Sequence, residues 1–457
     1  MKPFALRSSL LLTVGAALIA FSPVAFAQNP APAPVDPATF KPTLKQIELN
    51  DGDTLVFLGD SITHQCLYTQ YIEDYYYTHF PTKRIHFHNS GVGGDRAADA
   101  LRRFDDDVAS FKPKYVTILL GMNDGTYRDF DKGVFDTYQR DMTKLLDQIA
   151  GLGAIAVPMT PTMHDARAAR LRAKTQEPRD TYYNGVLALF GAWLREQASQ
   201  RGLGFVDMYS PLNNLTTEAR KTNAAYTLIK DAVHPDAPGQ VVMAVAILND
   251  MLPRGPVSGL ISRVDAKGKR TVIGANGKVT DFKDGDTIRF TFTANALPWV
   301  LPAEAAEGYK LTHAGHRYSN EKITVGNLKA GKYQVSIDGT PVGTYTDAQL
   351  SSGVELEENT KTPQYQQALA VAELNKEKTD KAMHPLRDLW RDLKIKRRDL
   401  DVAKDAALVE KKAAFEKWLP EFKAKVEKMK TLVREYEEKI YAVNQPKPRH
   451  YEIAPTK

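Results

Sequence analysis

Thr54-Leu55-Val56-Phe57-Leu58-Gly59-Asp60-Ser61-Ile62-Thr63 decides how the chain is read: an apolar run of strand length stops at a glycine, and a serine follows two positions later. Runs of the same kind recur at Arg84 to His88, Tyr115 to Leu120, Ala154 to Met159 and Gly204 to Met208. Helical patterns lie between them. Val134, Tyr138, Met142, Leu145, Leu146 and Ile149 keep to one helical face over Phe135 to Ile149, and Tyr182 to Gln200 is a second such segment. Alternating strands and helices predict an α/β fold, with a parallel sheet covered by helices on both faces as a three-layer α/β/α sandwich. Ligands of open sheets bind beyond the C-terminal strand ends, so the residues after each run are where chemistry is sought.

After about Pro253 the texture changes. Short β-rich runs separated by Asp265-Ala266-Lys267-Gly268, Ala275-Asn276-Gly277-Lys278 and Asp338-Gly339 predict hairpins. Thr362-Pro363 then signals a helix start, with threonine as cap and proline at the first helical position. The chain beyond is charged and helical. Phe415, Trp418, Leu419, Phe422, Val426, Met429, Val433, Tyr436 and Ile440 form an apolar stripe, with a kink expected at Pro420. These helices are expected to pack on one another or on the α/β domain, with a protein partner as the alternative use of the stripe. The boundaries expected are an α/β domain at 46–253, a small β-rich segment at 254–358, a helical region at 359–442 and a C-terminal tail at 443–457.

The first 45 residues have their own logic. Lys2 and Arg7 precede an apolar run from Leu10 to Ala20, followed by Ala25-Phe26-Ala27, so residues 1–27 read as a signal peptide cleaved after Ala27. That run is shorter than the roughly 20 residues of a membrane span, so no stable span is expected. Pro- and Ala-rich residues 28–45 read as an extended linker. The mature protein is therefore expected to be exported, periplasmic or extracellular. Cys66 is the only cysteine, so internal disulfides are excluded and the fold must rest on its cores. With 43% hydrophobic and 25% charged residues the 457-residue chain is globular, and its formal charge of +6 is scattered rather than clustered, which argues against a nucleic-acid partner.

The chemistry collects after the runs. Gly59-Asp60-Ser61 sets a hydroxyl at a tight turn; by itself this is only what turns are made of. Asn89-Ser90-Gly91-Val92-Gly93-Gly94-Asp95 is a glycine-rich loop without the lysine of a phosphate loop or the spacing of a dinucleotide site. Gly121-Met122-Asn123-Asp124 adds an amide donor, and Asp231-Ala232-Val233-His234-Pro235 pairs a carboxylate with an imidazole. Hydrolysis by serine requires a base to take its proton and a carboxylate to orient that base. An aspartate three residues before a histidine meets this need if the loop turns back, and Pro235 favours a loop. His86 and His88 alternate along a strand with no third ligand in view, so no metal site is inferred, and no cofactor is required.

These blocks, in this order, resemble the SGNH (GDSL-type) hydrolase family over roughly residues 50–252. The resemblance implies the flavodoxin-like fold of that family and an ester-cleaving activity. It implies Ser61 as nucleophile, His234 as general base and acid, and Asp231 as its support. The oxyanion hole would consist of the Ser61 and Gly94 amides and the Asn123 side chain, with Asp60 and Asp124 as supporting neighbours. Ile62 stands where many members have leucine, a difference that touches no reactive atom.

Export and the polar residues Arg96, Tyr127, Arg128, His164 and Asp165 near strand ends favour an esterase acting on acylated carbohydrate, with acetyl removal as the reaction. Each of those five residues taken singly reads as ordinary surface. The alternatives are a lysophospholipase- or thioesterase-type lipid hydrolase, which requires an apolar trough, and a non-catalytic envelope scaffold whose working part is the tail.

Overall fold

The computed structural model describes residues 41–172, 182–252 and 256–456. The expected signal peptide with its cleavage at Ala27, most of the expected linker and the expected boundary at 253 lie outside these residues.

Strand β1 (Thr54–Gly59) pairs in parallel with β2 (His86–Gly91) and β3 (Tyr115–Leu119), and β3 with β4 (Ile155–Pro158), giving the order β2-β1-β3-β4. Val56, Phe57 and Leu58 are wholly buried, so both faces of β1 are covered, which explains its continuous apolar sequence. Helices flank this sheet, in the flavodoxin-like arrangement expected. Those used below are α1 (Ser61–His64), α2 (Leu67–His79), α3 (Ala97–Arg102), α4 (Lys132–Gly151), α5 (Tyr183–Arg201) and α6 (Ala237–Met251). Register sets Gly59 beside both Gly91 and Leu119, so three strands end level and their loops share one rim.

The fifth apolar run does not form a strand. Only Val206 bridges to Met159 there. The amides of Met208 and Tyr209 bond instead to the Thr160 hydroxyl, at 2.9 Å each, and that of Asp207 to the Asp250 carboxylate. Side chains have taken the donors a ladder would use.

Beyond residue 256 come two further sheets. Strands β5 (Ser258–Val264), β6 (Arg270–Ala275), β9 (Glu321–Val325) and β12 (Val354–Glu355) form one, in the order β12-β9-β5-β6. The other has the order β11-β10-β13-β8-β7, from β7 (Gly277–Lys283), β8 (Ile288–Ala294), β10 (Lys332–Ile337), β11 (Thr340–Thr346) and β13 (Arg449–Pro455). Asp338 and Gly339, at φ 51° and 78°, make the tight turn between β10 and β11. The segment read as a tail thus supplies β13, which lies between β10 and β8 at the centre of the five-stranded sheet.

Thr362 caps α7 (Pro363–Lys378), accepting from the Tyr365 amide. A π-turn at Thr379–Met383 joins it to α8 (His384–Val402), just ahead of Pro385, which has no amide to return to Lys381. Helix α9 (Asp405–Val443) runs on through Pro420. Its apolar stripe is turned inward: Phe422, Val426 and Val433 pack with Leu386, Trp390, Val92 and Cys66, and Ile440 joins the core of the α/β domain.

The same helices explain α2. Its sequence, LYTQYIEDYYYTH, looks half polar, yet Gln70, Glu73, Asp74 and Thr78 are buried. Lys378 Nζ donates to Glu73 Oε2 at 2.7 Å and to the Tyr77 hydroxyl at 3.0 Å, and Asn375 donates to Asp74 Oδ1 at 2.8 Å. From its other side, Trp299 donates its indole N–H to the Tyr71 carbonyl. Buried charges persist only when paired in this way.

Candidate active site

Ser61 opens α1 directly beyond β1, at the shared rim. Both strand-end glycines are required here. A Cβ on Gly59 would lie 2.1 Å from the Thr63 hydroxyl, and one on Gly91 2.3 Å from the His64 amide nitrogen. Glycine at both positions lets α1 fold back against the sheet edge. Asp60 caps the turn, its Oδ1 accepting from the Ile62 amide at 2.9 Å. Burial, reinforced by the nearby charges of Asp124 and Asp95, pushes the Asp60 carboxyl up to about 7.

His234 Nε2 lies 2.7 Å from Ser61 Oγ, and His234 Nδ1 lies 2.6 Å from Asp231 Oδ2. A carboxylate only accepts, so Nδ1 carries the proton and Nε2 is left to accept from the hydroxyl. Asp231 Oδ1 accepts from the Val233 and His234 amides at 2.9 and 2.7 Å, which is how the loop turns back. Partial burial opposes ionisation of Asp231, but these amides and the imidazole together hold its carboxyl below its ordinary value. Both side chains remain reachable, His234 at 34% exposure and Asp231 at 44%.

The loop is held from outside. Ala232 adopts φ 77°, a conformation costly for a residue with a Cβ, and its carbonyl accepts from the Asp165 amide at 2.9 Å. Asp165 is buried, with Arg220 at 2.6 Å from its carboxylate, and His164 is buried beside it. Neither is the ordinary surface residue that its sequence position suggests: the His164 ring lies against Tyr127 and Tyr183, and Arg220 and Thr227 close on the Asp165 carboxylate.

Asn123 joins the rim differently. Its Nδ2 donates to the Asp95 carbonyl at 3.1 Å and, weakly, to Asp60 Oδ2 at 3.4 Å, while its Oδ1 accepts from the Tyr127 hydroxyl at 3.1 Å. Gly94, next to Asp95, is exposed and has φ 72°, which favours glycine. Asp124 Oδ1 accepts from the Ala97 amide at 2.9 Å, tying the third loop to α3. Burial pushes its carboxyl to about 7 against that bond. The structure thus joins Ser61, His234 and Asp231 directly, and links Asn123 to the serine and glycine loops through Asp60 and Asp95.

A network that sequence reasoning missed lies behind these loops. Arg103 donates to Asp95, Asp107, Ser90 and the Gly59 carbonyl, bracing the ends of β1 and β2. Asp107 also meets His88 at 3.0 Å and Arg387 at 2.7 Å, and Lys394 reaches Asp95 Oδ1 at 2.9 Å. Although burial opposes it, the Arg387 charge and its hydrogen bonds, with that of His88, hold the Asp107 carboxyl well below the usual range. His86 is engaged separately, with Glu437 at 3.1 Å.

Residues 57–242 match the model of the GDSL-like lipase/acylhydrolase family. An acetylxylan esterase from Geobacillus stearothermophilus is 25% identical over 228 residues, covering 45% of this chain and 96% of that protein. The solved structure of a gut microbial diltiazem-metabolizing enzyme aligns with a TM-score of 0.74 at 25% identity, covering 90% of this chain and 100% of that one. That likeness extends past the α/β domain into the β-rich and helical regions.

Proposed function

Residues 57–242 form a GDSL-like lipase/acylhydrolase domain, which makes this chain a carboxylic ester hydrolase, and on that premise we propose that it is an exported serine esterase removing acetyl groups from carbohydrate. The observation that carries the mechanism is the line Ser61 Oγ to His234 Nε2 to Asp231, at 2.7 and 2.6 Å. Ser61 attacks the ester carbonyl while His234 takes its proton. The imidazolium that forms is stabilised by Asp231. His234 then returns the proton to the departing sugar oxygen, and water repeats the sequence on the acyl-enzyme.

The developing oxyanion is received by the Ser61 and Gly94 amides and by Asn123. The second amide hydrogen of Asn123, held at rest only by the 3.4 Å contact with Asp60, is the one free to turn toward it. Such a donor supplies roughly 3 to 4 kcal/mol of barrier lowering. Carbohydrate as substrate is supported by the exposed rim and by the acetylxylan esterase relative, and export by the basic-apolar-Ala25-Phe26-Ala27 pattern.

A fluorophosphonate probe tests the nucleophile. Wild-type protein is expected to be labelled at Ser61 and to release acetate from acetylated oligosaccharides, and the Ser61→Ala variant to do neither. Folded wild-type protein that resists the probe would overturn the assignment.

A further inference from the structure

A cavity of about 340 Å3 opens beside the glycine loop, between α3 and α8. Its size lies in the range of small-ligand sites, roughly 300–1,000 Å3. Gly94 and Asp95 form one wall. Six basic side chains line it, Arg96, Arg102, Arg103, Lys394, Arg397 and Arg398, against two acidic ones, Asp95 and Asp99. Some of that charge is used internally. Arg103 serves Asp95 and Asp107, Lys394 serves Asp95 and Asp99, and exposed Arg102 pairs with Asp401. Arg398, exposed at the rim, has no ion pair among the described residues. A surplus of positive charge therefore faces this cavity.

The floor adds an independent sign. Trp390 lines the cavity and is 3% exposed, yet its indole N–H has no hydrogen-bond partner among the described residues. A buried donor without a partner costs about 1–3 kcal/mol, a cost that a bound acceptor removes. Guanidinium groups present paired N–H donors that fit a planar carboxylate, and the cavity is roomier than an isolated oxyanion needs.

We propose that this cavity is a subsite for a carboxylate carried by the sugar chain whose ester is cleaved, so that the substrate is an acetylated glycan containing uronic acid. The assignment rests on the proposed function, since Gly94 lies both at the cavity wall and at the proposed oxyanion site. Acid and ester are then read at one loop. The helical region, by supplying Trp390, Lys394, Arg397 and Arg398, is part of substrate recognition.

Binding to the full-length Ser61→Ala protein tests this without requiring turnover. Calorimetry with unesterified oligogalacturonate is expected to show binding that weakens as salt rises, and tighter than that of a neutral xylo-oligosaccharide of equal length. Arg398→Glu in that background should lower the ratio of the two affinities at least tenfold, with an unchanged unfolding midpoint as the control for folding. Equal binding of the two oligomers, or a ratio indifferent to Arg398→Glu, would overturn the proposal. So would inorganic sulfate that binds as tightly as the oligomer, since the site would then be one for free oxyanions. Failure of the esterase reading shows itself separately, as absence of probe labelling in the wild type.

Discussion

Arg387 grips both carboxylate oxygens of Asp107, at 2.7 and 2.9 Å, although 280 positions separate them and neither side chain has any exposed surface. Asp107 also holds Ser90 and Arg103, the residues that fix the ends of β1 and β2. The helical region is in this way bonded to the frame of the proposed active site. Arg387→Met is expected to destabilise the protein by about 3 kcal/mol, the lower end of what breaking a buried pair costs, because Arg103 still partners Asp107. Combining it with Asp107→Asn should recover part of that loss. Denaturant unfolding of the two variants measures both effects, and a single variant within 0.5 kcal/mol of wild type, a scale typical of about neutral surface changes, would refute the structural importance of the pair.

How much of this was legible depends on where each residue finds its partners. Four of the five expected strands of the α/β domain, and the stretches that carry Ser61, Asn123 and His234, were legible as short contiguous patterns. β1 announces two buried faces in five residues, and Asp231 and His234 meet across one turn. Asp107, by contrast, stands in sequence beside Asp105 and Asp106, which are exposed, and only the folded chain, by bringing Arg387 to it, sets it apart from them. Helix α2 hides its partner in the same way: Glu73 is paired with Lys378, 305 positions away. Asp165 was misjudged because a buried brace and a surface acid look alike until Arg220 and Thr227 are seen to close on its carboxylate.

That dependence makes the α/β domain poor at standing alone. A fragment ending at residue 252 would keep Glu73 and Asp74 on α2 while losing Lys378 and Asn375, and would bare the surface beneath Trp299 and Ile440. Such a fragment is expected to aggregate and to lose cooperative unfolding, with no labelling of Ser61. A soluble, cooperatively unfolding, probe-reactive fragment would show that the later regions are dispensable.

Acid–base behaviour gives a further test. Asp60 and Asp124 are both pushed up to about 7 by burial, whereas an unfolded aspartate titrates near 4. Between those values the folded protein holds protons on these two carboxyls that the unfolded chain has released, so their contribution to stability declines as pH rises from about 4 to 7, against the opposite contribution of buried His64, His79 and His88, each held down at about 4. Asp124→Asn preserves an acceptor for the Ala97 amide and removes one titration. It should therefore flatten the decline by up to about 1.4 kcal/mol per pH unit. Unfolding free energies at pH 5 and 7 report this directly, and a slope equal to wild type would mean that Asp124 is ionised throughout.

Asp231→Asn addresses orientation. The variant can still accept from the Val233 and His234 amides, but an amide NH2 facing Nδ1 turns the imidazole into the tautomer that donates from Nε2, and the proton of Ser61 then has no acceptor. The rate of ester cleavage is expected to fall on the order of a thousand- to ten-thousandfold, with probe labelling slowed in parallel. A variant within tenfold of wild type would leave Asp231 a loop-forming residue only.

Asn123 separates donation from shape. Asn123→Ala removes the amide that touches Asp60 and Asp95, and kcat should drop about a hundred- to thousandfold with little change in KM, since the oxyanion forms only in the transition state. Asn123→Asp keeps the size of the side chain and its bond from Tyr127 but presents acceptors where a donor is required. It should be at least as impaired as the alanine variant. If the aspartate variant instead restored activity, Asn123 would matter for the packing of its loop, and the oxyanion would have to be met by the backbone amides of Ser61 and Gly94 alone.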